Sequence, residues 1–273
     1  MADGFMICAT CGVEHSPGAE ICHICADERQ YVPRGGQVWT SLAEMRADGV
    51  RVTFEEVEPN LWSISTEPGV GIGHRSFLIV TPGGNVLWDP VGFIDDDAVR
   101  RIEGLGGVRA IVASHPHMFG VQLEWSRALA DAPVLVASAD QDWLARDGAA
   151  IVIWDRDFEL VPGLRLIRVG GHFPGSAVIH WADGAEGRGV LLGSDSIGSN
   201  PDGRTACFMR SFPNRIPLSV KAVENAVAAV RDHPFERMYA NFKSAILEDA
   251  DEAVRVSARR HIDWITGRHD DLI

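Results

Sequence analysis

The chain reads as an α/β protein: two β-sheets with helices outside them, preceded by a small metal-stapled ribbon. Three observations predict this. Four of the five cysteines, Cys8, Cys11, Cys22 and Cys25, fall in the first 25 residues as two CxxC pairs. Residues 50–89 carry successive short apolar runs separated by turn residues, the pattern of antiparallel hairpins. From Asp95 onward helical and strand periodicities alternate, which sets helices against sheets.

The ribbon comes first. Cys8-Ala9-Thr10-Cys11-Gly12 and Cys22-His23-Ile24-Cys25 form CxxC, ten residues, CxxC. Each CxxC turn delivers two thiolates to one ion at about 2.3 Å, and two such turns complete a tetrahedron. Gly12 suits the tight turn after Cys11, and Ser16-Pro17-Gly18 reverses the chain between the knuckles. So short a segment buries too little apolar surface to fold alone, so its folding free energy comes from the metal. Structural zinc is expected, with iron as the competitor. His15 and His23 are expected to face solvent beside a complete set of cysteines. The ribbon-like segment is assigned to residues 1–36, ending in Arg34-Gly35-Gly36, and residues 37–273 to the main domain.

Further along, Ser41 and Glu44 form a capping box that opens a short helix, which Gly49 closes. Strands follow at 51–54, 61–64, 76–80 and 86–88, the last two separated by the turn Thr81-Pro82-Gly83-Gly84-Asn85. Asp95 caps a helix to Glu103, 108–113 is a buried strand, 121–130 a helix, 134–137 a strand and 140–146 a helix. Short apolar strands come next at 158–160, 164–169, 177–181 and 190–192. A long loop covers 196–217, and helices at 218–231 and 248–265 flank a strand at 238–241.

One motif carries chemistry. In Ile111-Val112-Ala113-Ser114-His115-Pro116-His117 a buried strand runs directly into an HxH turn. Pro116 pushes the residue before it to extended φ/ψ, and residues i and i+2 of an extended segment project to one side, so both imidazoles can converge on one ion. A third nitrogen is offered by His172, in the glycine-rich loop Gly170-Gly171-His172-Phe173-Pro174-Gly175, and a carboxylate by Asp195 just past an apolar strand.

With these residues in view, the chain resembles the metallo-β-lactamase-fold hydrolase superfamily over residues 50–265. The landmarks match in order: Asp89 at a strand end, His115 and His117 as the HxH of the HxHxDH motif, His172 with its Pro174-Gly175 sequel, and Asp195. The resemblance implies a four-layer αββα sandwich with the metal site at one edge between the sheets. It also has departures. Phe119 and Gly120 stand where the motif continues with Asp and His, and Asn241 and Lys243 stand where a last histidine is expected. What survives is a single-ion set of His115, His117 and His172, with Asp195 nearby as ligand and catalytic group.

Three functions follow as expectations. The first is a metal-dependent hydrolase with one zinc or iron ion, acting on an ester, thioester, lactone or amide of a small molecule. In it Phe119 adds apolar surface favouring a hydrophobic acyl group. The second is a mononuclear non-heme iron oxygenase or redox protein, since two histidines and Asp195 form a 2-His-1-carboxylate set and sulfur dioxygenases of this fold bind one iron. The third is a binding or interaction protein with a degenerate site. Composition narrows the partners. With 25 Lys plus Arg against 38 Asp plus Glu, the formal charge of −13 opposes nucleic-acid and membrane-surface binding. No run approaches the roughly 18 apolar residues of a membrane span. The N-terminus, with Asp3 and no basic region before an apolar run, does not read as a signal peptide, and the chain is read as cytoplasmic. The ribbon is left for a protein partner or a second copy of the chain.

Overall fold

The computed structural model describes residues 4–273, so Asp3 and the reading of the N-terminus that leans on it lie outside the described residues. The chain divides into two compact units, the first ending at Trp154 and the second spanning Asp155–Ile273.

In the first unit, β1 (Met6–Cys8), β2 (Glu14–His15) and β3 (Trp39–Thr40) form a three-stranded antiparallel ribbon sheet in the order β2-β1-β3, with the single-turn helix α1 (His23–Ala26) beside it. The third strand is drawn from beyond residue 36. It brings the Trp39 ring to 4.8 Å from that of His15. His15 is therefore buried, against the expectation that it faces solvent, while His23 is exposed.

The capping box holds: Ser41 Oγ accepts from the Glu44 amide and donates to the Glu44 carboxylate, opening α2 (Leu42–Ala47). A seven-stranded sheet follows. β4 (Arg51–Glu58), β5 (Leu61–Glu67), β6 (Ser76–Ile79) and β7 (Val86–Trp88) run as an antiparallel meander. The chain then crosses over through α3 (Asp96–Gly104) and α4 (Gln122–Ala128) to add β8 (Ala110–Val112), β9 (Val134–Ala137) and β10 (Ile151–Trp154), each parallel to its neighbour. Asp95 works twice at the first crossover, its Oδ1 capping α3 at the Ala98 amide and its Oδ2 accepting from Val52 of β4. Ile64, Leu78, Leu87, Ile111 and Val134 are fully buried on successive strands. At about 1.5–3 kcal/mol for each such side chain, this row supplies much of the unit's cohesion. The parallel run also brings the C-terminal ends of β7, β8 and β9 to one edge, where ligands of open α/β sheets gather.

The second unit has a six-stranded sheet in the order β11-β12-β13-β14-β19-β20. β11 (Phe158–Val161), β12 (Leu164–Arg168), β13 (Ala177–Trp181) and β14 (Val190–Leu192) are antiparallel, with the single turn α5 (Gly184–Gly187) between the last two. β15 (Gly198–Ser199) pairs β16 (Ala206–Cys207), and β17 (Met209–Ser211) pairs β18 (Ile216–Pro217), as two small hairpins. α6 (Val220–Val230) leads to β19 (Arg237–Tyr239), parallel to β14. β20 (Ala245–Ile246) and α7 (Ala250–Ile265) follow. Ile167, Val178, Leu191 and Met238 of the sheet share a core with Val223 of α6 and Val254 of α7.

Three elements differ from expectation. β10 was not foreseen, although its β-branched Ile151-Val152-Ile153 run carries a strand signal. Residues 140–146 are not an α-helix: only a 3₁₀ stretch, Ser138–Trp143, forms there. The long loop at 196–217 contains the β15–β18 hairpins.

Phe119 and Gly120 gain a physical reason. Phe119 is 2% exposed and packs in the hydrophobic core of the first unit, so it offers no apolar wall to a substrate, contrary to expectation. Gly120 has φ +52°, and a Cβ there would collide with the Pro90 carbonyl. No histidine fits that backbone. Gly120→His is expected to destabilise the protein by about 2–4 kcal/mol without creating a metal ligand, read as a lowered urea midpoint and an unchanged count of bound metal.

Candidate metal sites

In the ribbon, β1 delivers Cys8 and the following turn delivers Cys11, with Gly12 at φ +80° donating its amide to the Cys8 carbonyl at 2.7 Å. Cys22 caps α1 and Cys25 lies on it, the Cys25 amide donating to Cys22 Sγ at 3.4 Å. All four sulfurs lie within 4.8 Å of one another. Cys8 Sγ is 3.8 Å from Cys25 Sγ, and Cys11 Sγ 3.8 Å from Cys22 Sγ. A disulfide requires about 2.05 Å. The edge of a tetrahedron of sulfurs bound at about 2.3 Å is about 3.8 Å, so the spacing fits one ion. The Gln37 amide donates to Cys8 Sγ at 3.3 Å, polarising the cluster. Contact with its neighbours, Cys11 foremost, pulls the Cys8 thiol down to about 6 and Cys22 far below the usual thiol range, while Cys11 is pushed up. The soft donor set at this spacing makes it a metal-binding cluster. Cys207 is different: half-buried on β16, its thiol is raised to about 12 by desolvation.

The ribbon docks on the strand-end edge of the first unit. The Glu14 amide donates to the Gly120 carbonyl at 2.9 Å, and its carboxylate accepts from the Leu123 amide at 2.7 Å and pairs with Arg146 at 2.5 Å. Arg146 also pairs with Glu124 at 2.8 Å. Gly12 meets Gly92 backbone to backbone, where a Cβ on Gly92 would come within 2.6 Å of the Gly12 carbonyl. Burial raises Glu14 to about 7 even though Arg146 and the Leu123 amide pull the other way.

The histidine chemistry is prepared in each unit separately. In the first, β7 ends at Asp89, whose φ of +56° turns its side chain back onto the neighbouring strand. Asp89 Oδ1 accepts from the Ser114 amide at 2.5 Å and Oδ2 from Ser114 Oγ at 3.0 Å. Ser114 Oγ in turn accepts from His115 Nδ1 at 2.8 Å. That relay assigns the His115 proton to Nδ1 and leaves Nε2 as the coordinating nitrogen. Burial, then the neighbouring His74 and Arg29, lower His115 to about 3, so it is neutral and ligand-competent through the physiological range. The His117 ring lies 5.4 Å from that of His115, and both are buried. His74, buried as well, donates from Nε2 to the Pro90 carbonyl at 3.3 Å.

In the second unit the glycine-rich loop after β12 presents His172. Its amide donates to Ser196 Oγ at 2.9 Å and its Nδ1 to the Met209 carbonyl at 3.0 Å, which leaves coordination to Nε2. Asp195 Oδ2 lies 3.6 Å from that Nε2, beyond hydrogen-bond range and suited to two ligands of one ion. Both are buried. Asn241, after β19, is buried, and Lys243 is exposed. Arg210 is half-buried and Asn214 exposed on the β17–β18 hairpin. The Ser114 relay and the Met209 carbonyl escaped sequence reasoning. Only the Ser114-His115 adjacency and the Asp89 landmark hinted at the first.

The fold defines a class: this is the metallo-β-lactamase fold, with a cluster of four cysteines able to hold a metal in the first unit, buried His115 and His117 in that unit, and buried His172 and Asp195 in the second. The DIM-1 metallo-β-lactamase exposed to ceftazidime is 12% identical with a TM-score of 0.56, covering 77% of this chain and 96% of that one. VMB-1 is 13% identical with a TM-score of 0.58 over the same shares, and a metallo-β-lactamase HARLDQ-motif mutant from Cronobacter sakazakii is 17% identical with a TM-score of 0.52, over 81% and 99%. No family model matches the sequence. The chain belongs to the same family as the uncharacterised protein YmaE of Bacillus subtilis (strain 168), to which it is 42% identical over 263 residues, or 94% of this chain and 96% of that protein.

Two expectations follow. Ser114→Ala and Asp89→Asn should each weaken metal binding at the histidine site about 10–100-fold, measured by competition with a chromophoric chelator. The folded protein holds the Glu14 proton up to about pH 7, whereas an unfolded chain releases it near 4.3. Folding therefore takes up a proton between these values, and this contribution to stability falls as pH rises through that window. Glu14→Gln is expected to flatten the fall, read as urea midpoints from pH 4.5 to 7.5.

Proposed function

We propose that the protein is a metal-dependent hydrolase that uses one catalytic ion, held by His115, His117 and His172 and assisted by Asp195, on an ester, thioester, lactone or amide. The observation that carries this reading is the matched preparation of the two histidine loops. His115 and His172 each spend Nδ1 on a neighbour, Ser114 Oγ in one case and the Met209 carbonyl in the other, which directs Nε2 to an ion. The donor chemistry, three imidazoles and one carboxylate, fits a catalytic zinc or iron ion.

When bound, such an ion supplies Lewis acidity and makes water acidic enough to attack near neutral pH. The chain's residues do the rest. Asp195 orients the attacking water and accepts its proton. Asp89, through Ser114, keeps the His115 ring in one tautomer and one orientation. With Phe119 in the core and glycine at 120, the Asp and His of the HxHxDH motif are absent, and that supports one ion over two. In the ribbon, zinc is the ion that four thiolates at this spacing favour, and the structural segment is residues 1–36, with β3 (Trp39–Thr40) completing its sheet from the following domain. The substrate is a small molecule. Among the described residues no helix is long and apolar enough to cross a membrane.

The carboxylate beside His172 also suits a 2-His-1-carboxylate iron site, and so an oxygenase. Elemental analysis separates the readings. The expected result is two metal ions per chain, one lost in Cys11→Ser and the other in His115→Ala. Hydrolysis across a panel of esters, thioesters and lactones should fall below about 1% in His115→Ala and His172→Ala. Full activity in both variants would overturn the hydrolase, and iron at the histidine site with oxygen uptake on thiols would establish the oxygenase instead.

A further inference from the structure

The outward side of α7 carries apolar side chains that the fold leaves uncovered. Ala253, Val256, Arg260 and Trp264 follow at intervals of three and four residues and so share one side of the helix, away from the buried Val254 and Ala258. Val256 is 46% exposed and Trp264 45%, the latter backed by the His269 ring at 5.2 Å. Leu247, just before the helix, is 53% exposed. With Ala253, Val256 and Gly203 of the β15–β16 turn it lines a cavity of about 520 Å³. Large apolar side chains grouped on one surface mark a place where another molecule docks.

The charges on the same helix say which molecule. Residues 248–252 hold Glu248, Asp249, Asp251 and Glu252 and no basic group, whereas residues 255–260 hold Arg255, Arg259 and Arg260 and no carboxylate. The helix dipole accounts for acidic groups in the first turn but not for arginines in mid-helix. Pairs within the helix account for two of the three: Arg255 meets Asp251 at 2.5 Å and Glu252 at 2.7 Å, and Arg259 meets Glu252 at 3.5 Å. Glu248, Asp249 and Arg260 are exposed and, among the described residues, make no ion pair, although the charge of Arg260 reaches Asp202. Farther along, Asp263 is answered by Arg268 at 3.1 Å.

Turned end for end, this order of charges matches itself. Glu252 and Arg260 lie four residues to either side of Val256, about 6 Å along the axis. A second α7 running antiparallel and crossing at Val256 therefore sets each Glu252 opposite Arg260 of the other copy, twice by two-fold symmetry. Trp264, about 12 Å from the crossing, comes opposite Leu247 and its cavity.

We propose that the protein is a homodimer built by antiparallel packing of α7 on α7 of a second copy, with Val256 on the two-fold axis and each Trp264 seated in the other copy's cavity beside Leu247. The proposal does not depend on the reaction catalysed. The second copy also covers the turn of the β15–β16 hairpin, which begins three residues after Asp195 and is tied to α7 by the Ala206 amide donating to Ser257 Oγ at 2.9 Å.

The test is sedimentation equilibrium of the full chain at micromolar concentrations, where wild type is expected at the mass of two chains. Val256→Glu sets two carboxylates against each other on the axis and should raise the dissociation constant at least about a hundredfold. Glu252→Arg and Arg260→Glu each place like charges opposite one another and should raise it about tenfold or more. Mixed one to one, these two variants form a heterodimer in which both ion pairs are complementary again, so the mixture is expected to recover a dissociation constant near that of wild type. Recovery on mixing also separates a lost interface from a variant that folds poorly. A monomeric wild type, a dimer unaffected by Val256→Glu, or a mixture no tighter than its components overturns the proposal.

Discussion

The contact on which the first unit's site depends is the docking of the cysteine knuckle onto the strand-end edge. Gly12 and Gly92 meet backbone to backbone, and the Glu14 amide reaches the Gly120 carbonyl. Any side chain at Gly92 would separate these surfaces, and one at Gly120 would strike the Pro90 carbonyl. Glu14 then carries its carboxylate into a buried place where desolvation outweighs the attraction of Arg146. Such a pair is weak evidence of net stability, because desolvating two charges costs about as much as their attraction returns. Its value is specificity. A shifted ribbon would leave Arg146 and Glu124 facing a gap, so one docked position is strongly preferred. The HxH turn lies between this contact and Asp89, held from both sides.

That arrangement explains the altered end of the motif. In a two-ion site, residues 119 and 120 would project toward a second metal. Here the backbone at Gly120 curves against Pro90 to meet the ribbon, and the Phe119 side chain points into the core. Preparation of the remaining ligands is correspondingly strict, with His115 and His172 each fixed by a hydrogen bond at Nδ1. Buried polar groups in low dielectric are costly when unsatisfied, so these partners narrow each ring to one tautomer.

Much of this was legible in the sequence where the signal is local. The paired CxxC spacing led to four sulfurs at tetrahedral separations, and the Ser41 and Asp95 caps appeared where their helices begin. His115, His117, His172 and Asp195 were read from their places at strand ends, and all four side chains are buried. What escaped is set by partners far along the chain. Arg146 pairs with Glu14 across 132 positions. Burial of His15 depends on a tryptophan that lies outside the assumed ribbon. Phe119 looked like a pocket wall because nothing local says which way a residue after a 3₁₀ turn will point. Gly120 looked like a lost ligand, and only the approach of Pro90 shows that it is a required glycine.

A final consequence concerns energy shared between the cysteines and the histidines. The ribbon has a three-stranded sheet of very short strands and one turn of helix, too little apolar surface to fold unaided. Two sources remain for its folding free energy: an ion at the four sulfurs, and docking onto the strand-end edge. Neither is independent of the other. Docking requires the knuckle that places Gly12 and Glu14, and the knuckle is shaped by the cysteines. The surface on which it docks is the turn that carries His117 and Gly120. By reciprocity, whatever free energy the cysteine-bound ion contributes to ordering the ribbon also favours the backbone that presents the imidazoles. The cysteines therefore take part in the histidine site without touching it, through one backbone hydrogen bond, one buried carboxylate and a pair of glycines.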